Sequence, residues 1–362
     1  MIGLLIIATL FLAFSNGAND NFKGFATVWG SHALSYRMAL LLATMATLAG
    51  SLVSLLVAGE LVRRFSGSGL VAEHVAAAPG FLFAVAAGAA TTVIVATRAG
   101  FPISTTHALL GGLIGAGLAQ SGGGINLEVL GGKFFLPLLL SPLLAAALSL
   151  GAYRLLPTRG EQADCLCLVD PAAVSVLGAS GEAGVKAIAP PQLLFAPAAQ
   201  CDAVQPPPLR FSILRLKEAL HVLSAASICF ARSVNDTPKL AALLVGIDLL
   251  GVPISFGLVA GAMAIGGLLL SRRVAETMSL RLSRIDGAQG LSANLLTAGL
   301  VLTASKFGLP VSTTHVSVGS IAGVGAGAGT VEWSTLRNIL LSWVATLPAA
   351  ALLAWVAAAI MA

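Results

Sequence analysis

The chain has 362 residues, of which 57% are hydrophobic and 10% charged, and its mean hydropathy is +0.93. A soluble domain carries about 25% charged residues, so the composition excludes that class and describes an integral membrane protein. The net charge of +5 sits in loops rather than in a basic, aromatic-interleaved patch, which reads as a topology signal and argues against a nucleic-acid partner. Leu, Ala and Gly dominate and barrel-type alternation is missing, so helices must satisfy the backbone in lipid. At roughly 20 residues per span, the chain has room for about ten to twelve crossings or half-crossings of an all-α membrane fold.

In chain order, Met1 to Phe14 is apolar without a basic leader or a clear cleavage site, so it reads as the first half of a span and not as a signal peptide. The polar crowd from Ser15 to Gly24 is expected to break that helix. A polar turn from Ser31 to Arg37 precedes a full span, Met38 to Ala58, and Glu60 to Pro79 reads as a charged loop. Phe81 to Thr97 is apolar again and meets the phrase Phe101-Pro-Ile-Ser-Thr-Thr-His107, where Pro stops the arriving helix and hydroxyl residues cap a new, Gly-rich one. After a turn at Ser121 to Gly124, the next span is Phe134 to Leu156.

From Pro157 to Arg215 the sequence is too polar and too broken by Pro to cross a bilayer. It reads as a linker between two membrane halves, 1–156 and 216–362. Arg154, Arg159, Arg210, Arg215 and Lys217 at its ends make it cytoplasmic by the positive-inside rule. The four cysteines, three of them in this segment, include no CxxC and no metal-spaced His. They read as free thiols, and no metal site or cofactor is expected.

The second half replays the first. Asn19-Asp20-x-x-Lys23 recurs as Asn235-Asp236-x-x-Lys239, 216 positions on, and the Pro-x-Ser-Thr-Thr-His phrase recurs at Leu309–His315, 208 positions on. Arg98 matches Lys306, and Gly111 and Gly115 match Gly319 and Gly323. Two motifs that keep order and spacing mark an internal duplication. Duplicated halves with interrupted helices and polar pairs point to a secondary transporter whose site lies at the repeat interface. Repeat orientation, parallel or inverted, is open at this level.

A helix start presents unpaired N–H groups and the positive end of the dipole, which suits an anion. Ser104, Thr105, Thr106, Ser312, Thr313 and Thr314 are therefore candidate ligands for a small oxyanion, against the alternative that such hydroxyls only cap their helices or join them. Asp20 and Asp236 are carboxylates in apolar surroundings, with Lys23 and Lys239 three residues on, within helical reach. They form either internal ion pairs or a charged wall beside the anion, or both. His107 and His315 either titrate during transport or pack at the first helical turn, and the packing role is favoured. Gly111-x-x-x-Gly115 and its repeat read as close helix packing.

These paired Asn-Asp and Pro-x-Ser-Thr-Thr-His motifs resemble the inorganic phosphate transporter family, with a likeness covering both membrane halves. The resemblance implies an inverted-repeat helical fold with re-entrant hairpins, a homodimer, and one oxyanion held by the Ser-Thr-Thr residues. Asn19, Asp20, Asn235 and Asp236 would lie close by. In most members these pairs help hold sodium, but the family's Asn-Asp-x-x-Asn is here Asn-Asp-x-x-Lys in both copies. An ammonium there replaces an amide oxygen and repels sodium, and two aspartates cancel two lysines without any metal. The expectation is a multi-pass permease of a bacterial-type inner (plasma) membrane that carries phosphate without sodium, by proton coupling or uniport. Sulfate is the alternative substrate. A membrane hydrolase using Ser104 or Ser312 is a third reading, disfavoured because an enzyme rarely needs two nucleophiles.

Overall fold

A computed structural model of the chain describes residues 1–57, 59–120, 124–155, 165–169, 192–196, 209–246 and 250–361. The first half runs α1 (Ile2–Asp20), a 3₁₀ turn (Lys23–Phe25), α2 (Ala26–Gly30), α3 (Tyr36–Val57), α4 (Gly59–Phe65), α5 (Glu73–Ala76), α6 (Pro79–Ala99), α7 (Thr105–Gln120), a π-helical stretch (Val129–Phe135) and α8 (Leu136–Leu155). The second runs α9 (Ile213–Val245), α10 (Val252–Leu270), α11 (Arg272–Glu276), a π-helical stretch (Thr277–Arg281), α12 (Gly287–Lys306), α13 (Thr313–Ala328) and α14 (Trp333–Met361). The protein is an all-α multi-pass membrane fold. Among the described residues, six segments are long and apolar enough to span a bilayer: Ile2–Gly30, Tyr36–Leu56, Pro79–Ala99, Val129–Leu155, Val252–Leu270 and Trp333–Met361.

The duplication is visible in the elements. α12 starts 208 positions after α6, and α13 starts and ends 208 positions after α7. α12 opens on a capping box, in which Gln289 N donates to Asp286 Oδ1 at 2.9 Å and Asp286 N to Gln289 Oε1 at 3.0 Å. The helices pack across the halves, α7 against α14 and α13 against α8. The glycine pairs make both contacts possible. A Cβ at Gly111 or Gly115 would stand 2.4 Å from the Leu347 carbonyl oxygen or 1.9 Å from that of Ala351, and at Gly319 or Gly323 it would stand 2.5 Å from Pro142 O or 2.3 Å from Ala146 O. Backbone cannot yield as a side chain can, so Gly115→Val is expected to lower stability by at least the ~1–3 kcal/mol typical of overpacking. Thermal unfolding of detergent-purified protein checks this, and an unchanged midpoint would mean that the glycines are dispensable.

Two sequence expectations need correction. The polar run ends the helix later than its first residue, because α1 continues to Asp20 with Ser15 through Asp20 all buried before regular helix stops. Those groups face the protein interior, where partners exist, and lipid never meets them. The charged loop from Glu60 to Pro79 contains α4, because Leu61 and Phe65, four apart, share one face and are fully buried while Arg63 and Glu60 pair on the outside. Phe65 meets Phe134 edge to face at 5.5 Å between ring centres.

Residues 1–155 and 221–362 form one compact unit and 156–220 a second. In the second, the segment expected to be a linker carries a three-stranded antiparallel sheet. Its central strand β1 (Cys165–Val169) pairs with β2 (Gln192–Ala196) on one side and β3 (Leu209–Ser212) on the other, so Leu166 lies opposite both Phe195 and Phe211. Cys165 and Cys229 are free thiols, and Cys201 lies outside the described residues.

Candidate functional site

α6 ends where Gly100 turns left-handed (φ 80°), and α12 ends just before Gly308 does the same (φ 62°). Pro102 and Pro310 prevent either helix from resuming, and α7 and α13 start at Thr105 and Thr313. Ser104 Oγ accepts the N–H of His107 at 3.1 Å, and Ser312 Oγ that of His315 at 3.2 Å. The serines are thus N-caps, with their hydroxyl protons left to donate. The N–H groups of the two threonines before each histidine belong to the first turn, where no upstream carbonyl exists for them.

The ends of α7 and α13 meet, and the lysines fasten them crosswise. Lys23 Nζ donates to Asn19 Oδ1 (2.8 Å), to Asp20, to the Ile103 carbonyl (3.0 Å) in its own half, and to Thr314 Oγ1 (2.6 Å) in the other. Lys239 does the same in mirror order: to Asn235, Asp236 (3.3 Å), the Val311 carbonyl (3.0 Å) and Thr106 Oγ1 (2.8 Å). Thr314 in turn donates to Ile103 O at 2.9 Å, and Thr106 to Val311 O at 3.4 Å. Three of each lysine's partners are pure acceptors. Only an ammonium has the three N–H groups to serve them, so both lysines are charged.

The asparagines anchor the frame. Asn19 Nδ2 donates to Thr97 Oγ1 and Asn235 Nδ2 to Ser305 Oγ, both at 2.8 Å and again repeat partners, while Asn19 Oδ1 also accepts the Ile103 N–H at 3.1 Å. Asp20 Oδ2 accepts from Thr105 Oγ1 at 3.2 Å and Asn16 Nδ2 at 3.0 Å, which sets its carboxyl group facing the start of α7. All twelve residues proposed from sequence are buried in one cluster, at 5% exposure or less.

The two phrases differ in their backbone. In the first copy regular helix stops after Asp20 and a 3₁₀ turn begins at Lys23, whereas in the second α9 runs on through the phrase although Pro238 has no N–H to give to residue 234.

Sequence reasoning missed two residues here. Arg232 is 1% exposed. Its Nη1 donates to Asn16 Oδ1 at 3.1 Å and its Nη2 to Thr47 Oγ1 at 2.8 Å, while the Asp236 carboxylate stands 3.9 Å away. Asn16 joins the two halves, donating also to Thr105 Oγ1 (2.9 Å) and Asp236 Oδ2 (3.3 Å). Positions 16 and 232 stand 216 apart, so they are repeat partners, and that spacing is the signal that could have found them. With Arg232, the cluster holds every buried Asp, Glu, Lys and Arg among the described residues: three cations and two anions. The cancellation inferred from sequence is corrected to a net charge of +1.

Behind the helix starts, His107 and His315 meet edge to face at 4.5 Å, and His315 stacks on Trp343 at 3.8 Å, which is the packing role expected of them. A cavity of about 560 Å³ between α6 and α14, lined by Thr91, Val95, Phe101, Ile103, Ser342 and Thr346 among others, reaches the cluster through Phe101 and Ile103, whose carbonyls accept from Asn19 and Lys23. The cluster itself is tightly closed by the cross-bonds.

Comparison with known proteins gives concordant results. The profile of the Phosphate transporter family matches residues 16–354. The chain is 30% identical to the "Probable low-affinity inorganic phosphate transporter" of Rhizobium meliloti (strain 1021), over 98% of this chain and 94% of that one. It is 29% identical to "Inorganic phosphate transporter 2-1, chloroplastic" of Arabidopsis thaliana, over 97% and 71% respectively. A solved structure titled "The sodium-dependent phosphate transporter" shares the fold with a TM-score of 0.76 at 20% identity, covering 99% of this chain and 98% of that one.

Proposed function

This chain belongs to the phosphate transporter family, and from that premise we propose that it is a sodium-independent phosphate permease, proton-coupled or uniporting, whose anion binds between the starts of α7 and α13. It is a transporter and not an enzyme, so the hydrolase reading falls. A homodimer in a bacterial-type inner membrane, with the two halves as inverted repeats, completes the proposal.

One observation carries the site: helix starts from both halves meet, each with two buried threonine hydroxyls and first-turn N–H groups, inside a cluster of net positive charge. A phosphate leaving water loses a large hydration energy, and charge-assisted bonds at about 1.5–3 kcal/mol each are what can offset it. Entering, the anion exchanges places with the partners the threonines now hold. Thr106 and Thr314 release the Val311 and Ile103 carbonyls and turn their O–H groups to the ligand. Thr105 and Thr313, with the N–H groups of each first turn, complete the shell, and the protons of Ser104 and Ser312 remain available.

The lysines support sodium independence. Each ammonium already fills the acceptor pocket made by an Asn oxygen, an Asp oxygen and a loop carbonyl, the kind of oxygen set a sodium ion would need. The carboxylate of Asp20 at the start of α7 supports phosphate over sulfate, because phosphate near neutral pH still carries a proton to donate and sulfate has none. The donors that face both helix starts from Lys23 and Lys239 favour sulfate as the second reading.

The test is binding and uptake together. Phosphate should outcompete sulfate on the purified protein, and proteoliposome uptake should be equal in sodium and choline media. Strong stimulation by sodium would refute sodium independence, and tighter sulfate binding would reverse the substrate assignment.

A further inference from the structure

The five buried charges are not equivalent. Lys23 and Lys239 are each committed to an aspartate, and all three of their N–H groups have acceptors within the protein. Arg232 is different. Its Nε makes no hydrogen bond although the side chain is 1% exposed, and the nearest carboxylate oxygen, on Asp236, is 3.9 Å away and already accepts from Asn16. An underpaired buried cation with an idle donor is costly, and a neutral residue would avoid that cost. The protein itself supplies the comparison. Its repeat partner, 216 positions earlier, is the uncharged Asn16, so the duplication does not require a cation at this position.

We propose that Arg232 is a substrate-binding residue: its guanidinium supplies the positive charge and the idle N–H that hold the oxyanion, while the lysines stay paired to Asp20 and Asp236. This inference rests on the oxyanion reading of the site and makes that site asymmetric. The planar fork of Arg matches two oxygens of a tetrahedral anion, which a lysine cannot do. Asn16 links the two features directly, since it accepts from Arg232 and donates to Thr105 at the start of α7. An anion seated there lies within the same short network, and the cluster's net charge of +1 is what it neutralises.

The experiment titrates purified full-length protein with inorganic phosphate and reads both the affinity and the melting temperature. Arg232→Gln should melt at or above the wild-type temperature without phosphate, because an underpaired charge is gone. It should bind phosphate on the order of a hundredfold more weakly, the scale of losing a bidentate charged contact. If Arg232→Gln does not fold, Arg232→Met, which keeps the stem's volume, is read in its place. A folded variant that binds phosphate within about twofold of wild type overturns the inference and leaves the oxyanion reading standing, since a mere brace between Asn16 and Thr47 would behave that way. Wild-type protein that binds no phosphate overturns the oxyanion reading, and this inference with it.

Discussion

Asp20→Asn is expected to abolish phosphate uptake and to cost on the order of 3–5 kcal/mol of stability, the scale of leaving a buried charge without its partner. The carboxylate of Asp20 receives three donors at once, Lys23, Asn16 and Thr105. An amide offers one oxygen for all of them and turns its own N–H groups toward groups that also donate. Lys23 then holds a buried positive charge against neutral acceptors only. Both the bond across to Thr314 and the closure of the loop at Ile103 depend on that ammonium. The measurements are melting in detergent and uptake of labelled phosphate into proteoliposomes. A variant that melts like wild type would mean that Lys23 is neutral and that the bonding pattern described above is misassigned.

The second large effect concerns the lysines together. Lys23→Asn with Lys239→Asn turns both phrases into Asn-Asp-x-x-Asn, and it removes two ammoniums from the oxygen pockets at Asn19–Asp20 and Asn235–Asp236. Uptake without sodium is expected to fall to background, and stimulation by sodium should appear, where the wild type is expected to show none. Either single substitution should already suffice for the loss, because each lysine reaches the helix start of the opposite half. Undiminished sodium-free uptake by the double variant would remove the lysines from the mechanism.

Much of this arrangement is readable in the sequence, and what is missing has physical causes. The Pro-x-Ser-Thr-Thr-His phrases locate two helix starts to the residue, because Pro and a capping hydroxyl act locally and need no tertiary context. The two spacings, 216 and 208, reveal the duplication and so imply that the starts converge. The continuation of α1 to Asp20 is hidden, because polar residues in a membrane helix are tolerable only when partners exist, and those of Asn16, Asn19 and Asp20 include Thr97, Thr105 and Asp236, far along the chain. Arg232 is hidden for a different reason. Its segment is not purely apolar, and only the repeat spacing, applied as a ruler, sets it opposite Asn16. The strands of the 156–220 unit are masked by neighbouring Pro, Gly and charge, although Cys165-Leu-Cys-Leu-Val169 is a short apolar run of strand length. Which hydroxyl a lysine meets is beyond any spacing rule, since three-residue proximity fixes the Asp partner and says nothing about the other half.

The crosswise reach of the lysines has a bearing on how the polypeptide could be divided. A fragment ending before α9 would carry the Lys23 ammonium with no Thr314 hydroxyl beneath it, and a Thr106 hydroxyl with no Lys239 above it. The complementary fragment would have the same two loose ends reversed. Neither piece contains one finished clasp, so the smallest self-sufficient portion of this molecule is both halves at once.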